Sequence, residues 1–217
     1  MKLARPDIRH PRIVLAGSGD DAGLVGALRR RGLHARWLAW EDPDTLHADL
    51  VILRTAGDDR PAEFLAWTRR VRHLLNPPDV VRWNTDKRYL RDLQRAGVPT
   101  RAAAADDTTA LIFLGGVQSH AFTTQRSVEA DFELWDLGHT ALRVAAERAR
   151  IGVDELLYGR ADVTDDARLV GLDLVAPALG WGLLDDAARP LAERQFAVCV
   201  ESALERLGLG PFSHRRP

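Results

Sequence analysis

The sequence predicts an α/β protein with a parallel N-terminal part and a mostly antiparallel second part. Short apolar runs beginning at Ile13, Ala35 and Leu50 alternate with helical patterns, and this alternation is typical of a parallel α/β sheet. Later, pairs of apolar segments are separated by short turns, which favours antiparallel hairpins. We therefore expect a first domain over residues 1–83 and a second over residues 84–217.

Each N-terminal element follows from apolar spacing and from the residues that start or stop it. In chain order, the predictions are strands over 13–15, 35–40 and 50–54, and helices over 21–31 and 61–74. The glycine-rich run 17–23 lies where a dinucleotide site could form, but Asp20 and Asp21 would repel a pyrophosphate there. We interpret these glycines as a tight turn from strand to helix.

The second half is predicted in the same way. In chain order, we expect a short strand over 80–83, a helix over 87–96, a hairpin of 111–114 with 119–123, a helix over 136–150, an antiparallel pair of 156–163 with 168–174, and a closing helix over 187–207. Gly97 is a suitable helix stop. The pair Gly115-Gly116 suits the turn of the hairpin.

Composition excludes several classes of partner. Thirty basic and 31 acidic residues give a net charge of −1 over 217 residues, so no chain-wide field favours nucleic acid or an anionic membrane. No apolar stretch reaches the length of a membrane span, about 18 residues. The single cysteine, Cys199, is expected to pack in a helix and excludes an internal disulfide. We predict a cytoplasmic protein without nucleic-acid or membrane partners.

Lysine is scarce: the chain contains only Lys2 and Lys87. Lys87 belongs to the segment 84–100, which together with 74–78 resembles the start of the module in ATP-grasp ligases. The similarity is to the branch of O-ureido-serine cyclo-ligases and glutathione-synthetase-like ligases. It implies that Lys87 faces the ATP phosphates. The alternative is a solvated cation at the start of a helix.

The hairpin segment Phe113-Leu114-Gly115-Gly116-Val117-Gln118-Ser119-His120 is similar to the family's central hairpin. This resemblance implies that His120 is a catalytic group that donates to a substrate carboxylate or acyl phosphate. The alternative is a histidine packed within the hairpin for structural reasons.

The segment Tyr158-Gly159-Arg160-Ala161-Asp162 resembles the family's next element. This implies that Arg160 contacts phosphate as a catalytic residue and that Asp162 binds magnesium. Residues two apart on a strand face the same way, which fits a polar site on one face; the alternative is a structural ion pair across two strands. The next strand resembles one that offers two ligands separated by one residue. Here Asp173 is present, but Gly171 carries no oxygen, which weakens a site for an ion that prefers about six oxygens.

The resemblance departs most strongly between Thr100 and Leu111, where this chain has ten residues. The family has a small subdomain there, with a second ATP lysine, a glycine-rich phosphate loop and the strand that recognises adenine. An average strand alone takes about five or six residues, so the interval is too short. We expect a pre-ATP-grasp domain followed by the C-terminal, antiparallel half of an ATP-grasp module, with weak or absent binding of ATP and Mg²⁺.

Three hypotheses follow from the resemblance, and they leave open whether the protein is an enzyme. In the first, the chain is a degenerate pseudoenzyme that binds a small amino-acid-like ligand or a paralogous ligase. In the second, it is an active ATP- and magnesium-dependent carboxylate–amine ligase, completed by another subunit such as that of a homodimer. In the third, it is the product of an internal deletion, natural or engineered.

Overall fold

The computed structural model describes residues 10–19, 23–101 and 107–210. Its first sheet has four parallel strands in the order β2-β1-β3-β4, which confirms the parallel N-terminal part. The strands are β1 (Ile13–Ala16), β2 (Ala35–Leu38), β3 (Leu50–Leu53) and β4 (Leu74–Leu75), and the helices α1 (Leu24–Arg30) and α2 (Pro61–Thr68) connect them. Asp20, Asp21 and the alanine run 102–105 lie outside the described residues.

The end of the predicted helix over 61–74 was wrong. Helix α2 ends at Thr68, and Leu74 and Leu75 instead pair in parallel with Val51 and Ile52 of β3. The two leucines are apolar in either state, so periodicity alone could not separate a helix end from a short buried strand.

Two short helices join the sheets, α3 (Pro78–Thr85) and α4 (Tyr89–Arg95). The strand predicted over 80–83 was wrong, because Pro78 starts a helix that buries Val80, Val81 and Asn84 on one side. Gly97 ends α4 with a φ of 90°, as its position predicted. Helix α3 runs across residue 83, and the division of the chain at that residue stays a prediction.

The second sheet has five strands in the order β7-β6-β5-β8-β9, and every neighbouring pair is antiparallel. The strands are β5 (Thr109–Leu114), β6 (Val117–Phe122), β7 (Ser127–Val128), β8 (Tyr158–Thr164) and β9 (Arg168–Asp173), with helices α5 (Phe132–Ala149) and α6 (Ala188–Arg206). Both predicted hairpins are confirmed, and so is the mixed α/β fold class.

The two sheets share a hydrophobic core. One face of the second sheet packs Leu111 and Phe113 against Leu142 of α5. The opposite face contributes Ile112 to a cluster that also contains Ile52 of β3 and Phe196 of α6, among others. That face is therefore apolar near β5, and its polar residues lie on β6, β8 and β9.

Two buried asparagines, Asn76 just before α3 and Asn84 within it, connect this linker to β8, β9 and the residues next to them. Asn76 Nδ2 donates to the carbonyl oxygens of Tyr158 (3.0 Å) and Leu174 (2.8 Å), and Asn76 Oδ1 accepts from the Leu157 amide (2.7 Å). Asn84 likewise donates to the Leu172 carbonyl (2.9 Å) and accepts from the Leu174 amide (2.7 Å). These bonds fix the end of β9 relative to the first sheet.

No helix among the described residues is long and apolar enough to cross a membrane.

Candidate functional site

Strand register places the predicted site residues on one face of the second sheet. Arg160 of β8 lies opposite Asp173 of β9, and Asp162 lies opposite Gly171. Ile112 of β5 pairs with Arg160 on one side and with His120 of β6 on the other. Directly paired residues share a face, so four of the five predicted site residues face the same way: His120, Arg160, Asp162 and Asp173. Their roles stay predictions.

Arg160 and Asp162 form an ion pair along β8. The Arg160 Nε and Nη2 atoms both lie 2.8 Å from Asp162 Oδ1, and the guanidinium carbon is 5.4 Å from the centre of the Phe122 ring. Both side chains are largely covered, with 27% and 24% of their surfaces exposed. Burial raises the pKa of Asp162, and the nearby guanidinium opposes that rise. The structure thus contains an ion pair, within one strand rather than across two.

Asp173 stabilises the turn at the end of β9. Its Oδ1 accepts from the backbone amides of Val175 (2.9 Å) and Ala176 (3.2 Å), which holds the turn that follows the strand. One carboxylate oxygen is therefore committed to the backbone. The resemblance had implied a metal ligand here.

These donors do not fit a magnesium ion. Asp162 is neutralised by Arg160, one oxygen of Asp173 is engaged, and Gly171 supplies no side-chain oxygen between them. Among the residues that the structure describes, no group of three or more His, Cys, Asp or Glu side chains is arranged to hold a metal ion. Magnesium needs several oxygens in near-octahedral array, so the protein's own set is incomplete.

His120 uses both ring nitrogens in contacts within the protein. Nε2 lies 2.6 Å from the Leu179 carbonyl oxygen, and Nδ1 lies 3.1 Å from Ser119 Oγ. A carbonyl can only accept, so Nε2 carries the hydrogen and Nδ1 of the neutral ring accepts from the hydroxyl. Burial lowers the pKa of His120, which favours the neutral ring at pH 7. A proton donated to a substrate would first require breaking the contact with Leu179.

Lys87 is exposed in the turn between α3 and α4. Its neighbours form an ion pair, in which hydrogen bonds from Arg88 lower the pKa of Asp86 to about 2. Within the described ranges, Lys87 makes no hydrogen bond or ion pair, and the structure does not bring it into contact with Arg160 or Asp162. Tyr89 connects this turn to the sheet, since its hydroxyl accepts from the Leu172 amide (3.0 Å).

Arg54 lies beside Tyr158 of β8 and was not among the predicted site residues. It follows the fully buried strand β3, donates from Nη2 to the Pro177 carbonyl (2.8 Å), and lies 5.5 Å above the Tyr158 ring. A Cβ on Gly17 would lie 2.8 Å from the Arg54 carbonyl oxygen, so glycine is needed there. An arginine directly after an apolar strand was the signal that could have found it.

The burial of Asp162 predicts a dependence of stability on pH. Its pKa in the folded state is raised above the ordinary aspartate value of 3.8, so the folded state binds the proton more tightly than the unfolded state. The resulting stabilisation is complete below pH 3.8 and is lost as pH rises through the folded pKa. We expect Asp162→Asn to remove this loss of stability, measured as thermal unfolding of both proteins between pH 4 and pH 7. An unchanged pH profile in the variant would contradict the assignment.

Comparison with known proteins shows what this chain is similar to. The sequence profile of the D-cycloserine synthetase DcsG N-terminal domain matches residues 6–76. The cycloserine biosynthesis protein DcsG of Streptomyces lavendulae is 41% identical over 87 residues, which cover 37% of this chain and 29% of that protein. The crystal structure of D-cycloserine synthetase DcsG superimposes with a TM-score of 0.74 at 21% identity, covering 90% of this chain and 99% of that chain.

The chain therefore has the fold of the ATP-grasp ligases, and residues 6–76 are similar to the N-terminal domain of DcsG. A second ATP-grasp ligase, PsnB in complex with a minimal precursor, Mg and ADP, superimposes with a TM-score of 0.59 at 15% identity, covering 87% of this chain and 98% of that one. These matches confirm the resemblance to ATP-grasp ligases that the sequence predicted. The match to the curated DcsG sequence spans less than a third of that protein's length.

Proposed function

We propose that this ligase-like protein does not complete a carboxylate–amine ligation alone, and that it binds a small amino-acid-like ligand or a paralogous ligase. The coarse assignment rests on the ATP-grasp fold and on the relationship to DcsG. The proposal that the protein does not complete the reaction alone rests on the short chain segment between α4 and β5.

The observation that carries the proposal is the short path between α4 and β5. The Arg101 amide donates to the Leu169 carbonyl of β9, and the Leu169 amide donates to the Pro99 carbonyl, each at 2.8 Å. Strand β5 then begins at Thr109. Only residues 102–106 lie between the described parts. Five residues are about the length of one average strand, so a separate nucleotide-covering subdomain has no chain from which to form.

The charges on the retained face agree with this proposal. Catalysis of phosphoryl transfer depends on Lys, Arg and magnesium that neutralise the developing charge. Here Arg160 is bound by Asp162, the magnesium ligand set is incomplete, and Lys87 has no contact with the face. A ligand with a carboxylate could compete with Asp162 for Arg160, which fits an amino-acid-like molecule better than a triphosphate.

Calorimetric titration with ATP and MgCl₂ tests the proposal. We expect no saturable heat with millimolar nucleotide, because neither phosphate charge nor adenine has a complete binding surface. Titration with a panel of amino acids, followed by thermal unfolding, should identify the small ligand by an increase in melting temperature. Saturable binding of MgATP below millimolar concentration would refute the proposal.

The active-ligase alternative predicts a different result from lysine substitutions. If a reduced phosphate site works, ADP release with the amino-acid panel should be abolished by Lys87→Ala and retained by Lys2→Ala, which removes the chain's other lysine. Our proposal predicts that all three proteins release no ADP above background. Release that depends on Lys87 would establish the alternative.

A further inference from the structure

A groove rich in arginine lies between α3, α4 and the C-terminal end of α5. It has a volume of about 970 Å³. Its wall contains six arginines and three aspartates, a local excess of three positive charges in a chain whose net charge is −1. The charged residues are Arg82, Arg88, Arg91, Arg95, Arg148, Arg150, Asp79, Asp86 and Asp92.

The three aspartates do not neutralise all six arginines. Asp79 pairs with Arg82 (3.1 Å) and Asp86 with Arg88 (2.5 Å). Asp92 contacts both Arg95 (3.5 Å) and Arg148 (3.3 Å). In the part of the chain that the structure describes, the exposed guanidinium groups of Arg91 and Arg150 have no carboxylate partner. The groove therefore keeps free cationic groups at two separated positions.

The groove is poorly suited to a nucleobase or a nucleotide phosphate. Trp83 donates from Nε1 to Asp92 Oδ2 (3.0 Å), Arg148 lies 5.9 Å above its ring, and Tyr89 packs against it edge-on at 5.6 Å. The aromatic surfaces are thus engaged and do not form a stacking platform. At the start of α4, the Arg88 amide is already bound by the Asp86 carboxylate (3.0 Å), which repels an incoming phosphate.

We propose that this groove binds an acidic peptide segment of a partner protein. Guanidinium groups bind carboxylates through paired hydrogen bonds, and arginines spaced along three helices match carboxylates spaced along a chain. The local positive excess would also steer such a segment toward this surface. This interaction is separate from the sheet face that carries Arg160 and does not require nucleotide binding there.

Binding of fluorescein-labelled hexaglutamate, followed by fluorescence anisotropy, tests the inference on the full chain. We expect saturable binding that weakens with added salt, and no binding of labelled hexaglutamine. The double variant Arg91→Gln/Arg150→Gln should bind hexaglutamate about five- to tenfold more weakly, because each exposed charge contact contributes modestly. These residues have no ion-pair partner in the described chain, so the variant should keep the melting temperature of the parent.

A matched control separates the groove from net charge. Arg69→Gln/Arg72→Gln removes the same charge from exposed positions outside the groove and should leave affinity for hexaglutamate within about twofold. Equal weakening by both double variants, or no binding of hexaglutamate by the parent, would overturn the proposal. Tighter binding of a labelled oligothymidylate of equal charge, lost in the groove variant, would assign the groove to nucleic acid instead.

Discussion

Replacing Asn76 with alanine is expected to lower the free energy of unfolding by about 3–5 kcal/mol. The side chain donates to the carbonyl groups of Tyr158 in β8 and of Leu174 just after β9. It also accepts from the amide of Leu157, just before β8. All are buried, and each buried polar group that loses its partner costs about 1–3 kcal/mol. Since whole domains are stable by only about 5–15 kcal/mol, this loss is a large share of the total.

Urea unfolding followed by circular dichroism measures this effect. Asn84→Ala is the matched control, because the same substitution in the neighbouring helix removes two such bonds rather than three. We expect a smaller loss for Asn84→Ala, about two-thirds of that for Asn76→Ala if the bonds contribute equally. A change below about 1 kcal/mol for Asn76→Ala would show that these bonds do not hold the sheets together.

Local sequence patterns predicted the elements whose partners are close in the chain. The strands joined at Gly115-Gly116 and across 164–166 could be found because their apolar runs and turn residues lie within about 20 positions. The helix over 78–85 could not be predicted in this way, because adjacent valines are equally typical of a short strand. Its state is decided by Pro78 at the first helical turn and by burial of Asn84 against β9.

The sequence could predict that Arg160, Asp162 and Asp173 share a face of the sheet, but it could not predict their contacts. Alternation along β8 placed Arg160 and Asp162 on one side, and the register of β9 then brought in Asp173. The partner of His120 is the carbonyl of Leu179, 59 residues away, and no local pattern encodes that contact. Burial of Asp162, which raises its pKa, likewise depends on how the sheets pack.

Replacing Gly171 with glutamate is expected to tighten Mg²⁺ binding by about tenfold or more, because calcium and magnesium affinity rises with the number of charged ligands. A Cβ at this position would lie 3.5 Å from Asp162 Oδ2 and 3.9 Å from the Tyr89 hydroxyl, which are ordinary van der Waals distances, so the first carbon of the new side chain displaces no neighbour. Without metal, its charge next to Asp162 and Asp173 should lower the melting temperature. Added MgCl₂ should then raise it.

Gly171→Gln is the matched control, since it adds a side chain of the same size without the charge. We expect calorimetric titration with MgCl₂ to show stronger binding in the glutamate variant than in the parent and the glutamine variant. We expect this dependence on charge because, of the two carboxylates predicted as metal ligands, Asp162 is paired with Arg160 and Asp173 holds a backbone turn. Equal responses of the glutamate and glutamine variants to MgCl₂ would show that Gly171 is not the position that limits metal binding.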